Sequence, residues 1–183
     1  MAVWRDYSDV YPGSDHTITG TIQVCEAVYS PQLDNQRRLF VYLPPSYGQT
    51  GRRYPVVYMH DGQNLFDAAL SFSGEWQVDE TLEALSAEGI EAIVVGIPNL
   101  DGEITGARLD EYGPFPSVLR GGRGGRGAEY VAFIADTVKP LIDADFRTLP
   151  DRDHTSTAGS SMGGLISLYA FFARPEVFSR AGV

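Results

Sequence analysis

Residues 154–164 read "HTSTAGSSMGG", a run of β-forming residues that breaks into glycine, two serines, methionine and two more glycines. Within it, Gly159-Ser160-Ser161-Met162-Gly163 has the G-x-S-x-G spacing of a nucleophilic serine on a sharp turn from strand to helix. The turn forces its central residue into a sparsely populated conformation and leaves little room beside it, hence the glycines two before and two after Ser161. Ser160 fits less well, because its own neighbours at those offsets are Ala158 and Met162. Upstream the segment reads as a buried strand. Downstream, "GGLISLYAFFARPEVF" reads as a helix apolar on nearly every side, closed near its end by Pro175.

Working outward, the same alternation of strand and helix recurs. "YPVVYMHDG" and "IEAIVVGIPN" are nearly continuous apolar runs, the pattern of strands covered on both faces. "EWQVDETLEALSAEG" places Val78, Leu82 and Leu85 on one helical face and stops at Gly89. "AEYVAFIADTVKPLID" does the same with Val131, Ile134, Val138, Leu141 and Ile142. Ahead of these, "HTITGTIQVCEAVYS" and "RRLFVYLPPSY" read as an antiparallel hairpin. The expectation is an α/β fold: a mostly parallel sheet with N-terminal antiparallel strands, right-handed crossovers and helices on both faces. The segment "NLDGEITGARLDEYGPFPSVLRGGRGGRG" shows no periodicity and reads as one long functional or mobile loop. In such a sheet ligands bind beyond the carboxyl ends of the strands, where "HDGQN", this loop and Ser161 all fall.

Ser161 is the candidate nucleophile. The helix that starts after it directs free amides and a positive dipole end at a developing oxyanion, with Met162 N–H as one donor. Gly62 lets the chain turn close to a ligand, and Gln63 N–H is the candidate second donor. His60, Asp61 and Asn64 from this turn, with Arg108 and Glu111 from the long loop, form the candidate substrate lining. Arg108 and Glu111 could equally pair with each other and anchor the loop. His60 and Asp61 are adjacent at a strand end and point to opposite faces, which rules them out as an acid–base pair, so His60 reads as a structural or substrate-lining histidine rather than a base. His16 lies before the first strand, and His154 starts the Ser161 strand, a strand length from the turn and on the wrong edge of the sheet to serve it. "RGGRGGRG" at residues 120–127 is a single short copy without interleaved aromatics, and reads as loop rather than RNA-binding segment.

A length of 183 residues suits one domain, and a net charge of −10 argues against nucleic acid or an anionic membrane as partner. Cys25, the only cysteine, reads as a buried structural thiol. No metal-ligand spacing, Walker A pattern or dinucleotide fingerprint is present, so no cofactor or metal is expected. The N-terminus lacks the apolar region of a secretory signal, and no apolar run is long enough to span a bilayer, so a cytoplasmic location is expected.

"YMHDGQNLFD", "ARLDEYGPF", "EYVAFIADTVKPLIDADFRTLPDRDHT" and "AGSSMGGLISLYAFFARPEVFSRAGV", in this order, resemble the esterase family of the α/β-hydrolases. That family groups enterochelin, feruloyl and acetyl-xylan esterases, S-formylglutathione hydrolases and mycolyltransferases. The resemblance runs from about Ile18 to the last residue. It implies a cofactor-free Ser-acid-His hydrolase acting on a small-molecule ester, with Ser161, Met162 and Gln63 in the roles above. One departure is large. Family members carry the acid and histidine after the serine, whereas here the residues after Ser161 hold no histidine and only one carboxylate, Glu176. The expectation is therefore a single domain over 1–183 that lacks the final strands and helices. Its Ser161 strand would be an exposed hydrophobic edge that favours self-association, and turnover would be nearly absent. The alternative is a fragment that binds ligand, or is completed by another chain, without catalysing.

Overall fold

The computed structural model describes residues 2–72 and 74–183. In chain order the elements are β1 (Arg5–Asp6), α1 (Tyr7–Val10), β2 (Thr21–Ser30), β3 (Asn35–Leu43), β4 (Val56–His60), α2 (Val78–Ser86) and β5 (Ile93–Ile97). After these come α3 (Ala107–Tyr112), α4 (Gly127–Phe133), α5 (Lys139–Asp145), β6 (Thr155–Ala158), α6 (Met162–Ala173) and β7 (Arg180–Gly182). The strands form one sheet in the order β1-β2-β3-β5-β4-β6-β7. β5, β4, β6 and β7 run parallel, and β1, β2 and β3 join them in antiparallel pairings. The expected hairpin is β2–β3, with an irregularity between Cys25 and Val28. Cys25 is buried, as expected.

Strand alternation sorts side chains into two cores. Leu39, Val41, Val56, Tyr58, Ile93 and Val95 face one side, where α4, α5, the turn of helix joining them and α6 supply Val131, Ile134, Val138, Ile142, Ile166 and Ala170. Phe40, Tyr42 and Val94 face the other, against Leu65, Phe66 and the Val78–Leu82 face of α2. Both faces of β5 are therefore covered, and all five of its residues are buried, which is why its sequence is continuously apolar. Between α4 and α5 the helix widens into a π-helical stretch, Ile134–Val138.

Two expectations need correction. The Ser161 strand is not an edge: Ser156, Thr157 and Ala158 of β6 pair with Arg180, Ala181 and Gly182 of β7. The strand is also not hydrophobic; Thr155 and Thr157 are its buried residues. The long segment after β5 is not one structureless loop, because it contains α3 and a 3₁₀ turn at Val118–Arg120. Leu165, Leu168 and Phe172 on α6 remain exposed, as the uniform apolarity of that helix implies.

Candidate active site

Ser161 sits between the end of β6 and the start of α6 with φ 56° and ψ −117°. L-residues rarely take this conformation, and it costs about 1–3 kcal/mol unless the surroundings enforce it. Enforcement comes from the glycines. A Cβ on Gly159 would stand 2.7 Å from the main-chain carbon of Gly163, so the two arms of the turn are in backbone contact. On the helix side, the nearest atom to a Cβ on Gly163 would be Cβ of His60 at 3.4 Å, then Oδ2 of Asp61 at 3.6 Å. The start of α6 thus rests directly on the turn after β4.

That turn is held as tightly. Asp61 is left-handed, with φ 55°. A Cβ on Gly62 would lie 2.5 Å from main-chain atoms of Gly96 and Ile97, so only glycine lets the turn lie on β5. The first amide bonded within it is that of Asn64, to Asp61 O at 2.9 Å; across the site, Gly163 N donates to Ser160 O at 2.8 Å. The amides one residue earlier, Gln63 and Met162, have no main-chain acceptor among the described residues. Ser161 and Gln63 line one cavity of about 760 Å³ with Asp61, Asn64, Asn99, Arg108 and the aromatic Trp76.

The substrate lining expected from sequence is partly corrected. Asp61, Asn64 and Arg108 do line the cavity; His60 and Glu111 do not. Asp61 is nearly buried and takes Arg108 as a two-pronged partner, Nε to Oδ1 at 2.8 Å and a terminal nitrogen to Oδ2 at 2.7 Å. Asn99 Nδ2 adds a third donor to Asp61 Oδ1 at 2.7 Å. Donating to the Asp61 carboxylate raises the Arg108 guanidinium above its ordinary pKa. Glu111 turns the other way, into the core, where Arg37 of β3 grips it at 2.8 and 2.9 Å. The two loop residues therefore do not pair with each other. Each ties α3 to a different strand end, and Arg37, unsuspected from sequence, is what makes a buried Glu111 tolerable.

His60 is fully buried. Its Nδ1 meets the Tyr130 hydroxyl at 2.9 Å and its Nε2 meets Thr157 Oγ1 at 3.2 Å. A neutral imidazole offers one donor and one acceptor, and hydroxyls can answer either. Burial lowers its pKa to about 4, with the nearby Arg108 acting in the same direction and Asp61 opposing. Both nitrogens are committed, so His60 is a structural residue. His16 pairs with Asp67 and His154 with Asp151, and among the described residues no histidine lines the cavity. The RGG segment folds back on the loop: Arg123 binds Asp110 and Thr105 O, and Gly121, Gly122, Gly124 and Gly125 all have positive φ.

Residues 30–183 match the family described as Putative esterase. The chain belongs to this family. It is 31% identical over 151 residues to the uncharacterised Bacillus subtilis protein YbbA, covering 80% of this chain and 55% of that one. It is also 31% identical to a siderophore triacetylfusarinine C esterase of Aspergillus fumigatus, over 71% of this chain and 43% of the relative. An IroE-like serine hydrolase from Shewanella oneidensis superposes with a TM-score of 0.67 at 25% identity, over 87% of this chain and 49% of that one. The chain spans about half the length of the relatives it matches. Family membership supports ester hydrolysis as the family's chemistry and agrees with the mixed α/β sheet. Among the described residues no helix is long and apolar enough to cross a membrane.

Proposed function

We propose that this chain carries the nucleophile and oxyanion hole of a serine hydrolase acting on small-molecule carboxylic esters. The Ser161 hydroxyl attacks the ester carbonyl, and the amides of Met162 and Gln63 receive the negative charge that builds on its oxygen. The acyl–oxygen bond to the alcohol breaks, the alcohol leaves with the serine's proton, and water releases the acid from the acyl-enzyme. Proton transfer needs a base that none of the three histidines here supplies. In the proposal, it and its orienting acid belong to the part of the relatives that this sequence does not span. The observation that carries the reading is the strained Ser161 backbone at the mouth of a cavity shared with Gln63.

A free base in solution tests this on the chain as it stands. With added imidazole, a fluorophosphonate probe should label Ser161, located by peptide mass spectrometry, and Ser161→Ala should remove the adduct. An adduct on another residue, or equal labelling of both proteins, refutes the assignment. The second reading, a module that binds esters without turning them over, is favoured by the lack of any histidine at the cavity. It would be supported by quenching of Trp76 on ester addition together with imidazole-supplied hydrolysis no faster than that of Ser161→Ala.

A further inference from the structure

The start of α2 gathers three carboxylates with no basic side chain paired to them among the described residues. One oxygen each of Glu75, Asp79 and Glu80 lies within 4.8 Å of the other two. Asp79 is fully buried. Its Oδ2 accepts from Thr19 N at 2.7 Å, while its Oδ1 is buried and has no donor among the described residues. Glu75 Oε1 and Glu80 Oε2 are in the same position. The other oxygen of Glu75 takes the Thr17 hydroxyl at 2.9 Å. No lysine, arginine or histidine forms an ion pair with any of the three among the described residues.

Acids in the first turn of a helix are favoured by its dipole, which accounts for the positions of Asp79 and Glu80 but not for Glu75. Nor does it account for three buried oxygens without donors among the described residues, since burying a polar oxygen without a partner is costly. We propose that Glu75, Asp79 and Glu80 bind a divalent cation, Ca²⁺. Calcium takes carboxylate oxygens at about 2.3–2.6 Å, so two oxygens on one ion stand at most about 5 Å apart. The trio already meets that limit. Magnesium, which demands a strict octahedron at about 2.1 Å and usually takes only one or two carboxylates, is served less well by three. Sequence spacing gives no sign of the site, because Glu75 reaches it from the connection before the helix.

The ion would also act on the cavity wall. Trp76, next to Glu75, lines the cavity, and its amide is bonded to Asn64 O at 2.8 Å. Fixing Glu75 to α2 would fix that wall. The proposal does not depend on the role given to Ser161.

Terbium replaces calcium at oxygen sites and emits when excited through a nearby tryptophan, so Tb³⁺ titration with excitation of Trp76 reads occupancy directly. The expected result is saturable emission that Ca²⁺ displaces, reduced at least tenfold in Glu75→Gln and in Glu80→Gln. Calcium at 100 times its dissociation constant should raise the melting temperature of the wild type by about 5–10 °C over EDTA, and that of neither variant. Emission that Ca²⁺ does not displace, emission unchanged in both variants, or equal melting in Ca²⁺ and EDTA each overturns the proposal. Equal melting would mean that the carboxyls are satisfied by a shared proton.

Discussion

His60 makes a pH dependence that belongs to one residue. In the unfolded chain a histidine titrates near 6.5, and in the folded protein burial lowers that value to about 4. Between those values the unfolded chain holds a proton that the folded one refuses, so stability is full above pH 6.5 and falls as the pH drops toward 4. The groups around the imidazole are Asp61, Arg108, Tyr112, Tyr130 and Thr157; Asp61 moderates the effect without reversing it. At 1.36 kcal/mol for each pH unit of displacement, the loss between pH 7.5 and 4.5 is about 2.5 kcal/mol. Other groups also titrate in acid, so the quantity to follow is the gap between wild type and His60→Gln. Urea melts read by tryptophan fluorescence from pH 7.5 to 4.5 should show the wild type's advantage shrinking by about 2.5 kcal/mol. His60→Asn should give the same slope from a different starting gap. A gap that stays constant, or widens in acid, would mean that His60 is charged in the folded state and that its hydroxyl partners have been misread.

The two glycines of the serine turn should separate sharply. Gly159→Ala drives a methyl into the Gly163 backbone at 2.7 Å, costing about 1–3 kcal/mol and abolishing imidazole-supported labelling of Ser161. Gly163→Ala meets only ordinary contacts from 3.4 Å outward and should melt within about 1 kcal/mol of wild type, because alanine suits a helix better than glycine. Glu111→Gln leaves the Arg37 guanidinium buried without its anion and should destabilise by about 3–5 kcal/mol in chemical denaturation, with Arg37→Met plus Glu111→Leu recovering most of it. Arg108→Ala frees the Asp61 carboxylate and should slow Ser161 labelling; Arg108→Lys should not restore it, since a lysine cannot make the two-pronged contact. Full labelling in Arg108→Lys would show that charge alone suffices.

What could be read from the sequence followed the range over which each feature is determined. The serine turn was legible because its cause is local: Gly159 and Gly163 lie within four residues and touch each other. Gly62 and Gln63 were legible for the same reason, and the buried runs of β4 and β5 announced a sheet covered on both faces. α3 was not, because its buried residues are Ala107, Glu111 and Tyr112, and a glutamate reads as solvent-facing until an arginine 74 residues away meets it. At β7 a strand was expected only to begin, because three residues, Arg-Ala-Gly, have no pattern of their own; their pairing with β6 is what makes them one. For His60 the sequence left a structural and a substrate-lining role open. Its partners, 70 and 97 residues away, decide for the first. The same reasoning explains why Asp61 is the residue on which the site turns. Its left-handed backbone opens the turn that carries Gln63, while its carboxylate gathers Arg108 and Asn99 from the segment after β5. One side chain thus couples the local turn, which sequence reveals, to the distant loop, which it hides. A change at Asp61 should therefore disturb the proposed oxyanion donor at Gln63 and the cavity wall together, whereas a change at Arg108 reaches Gln63 only through Asp61.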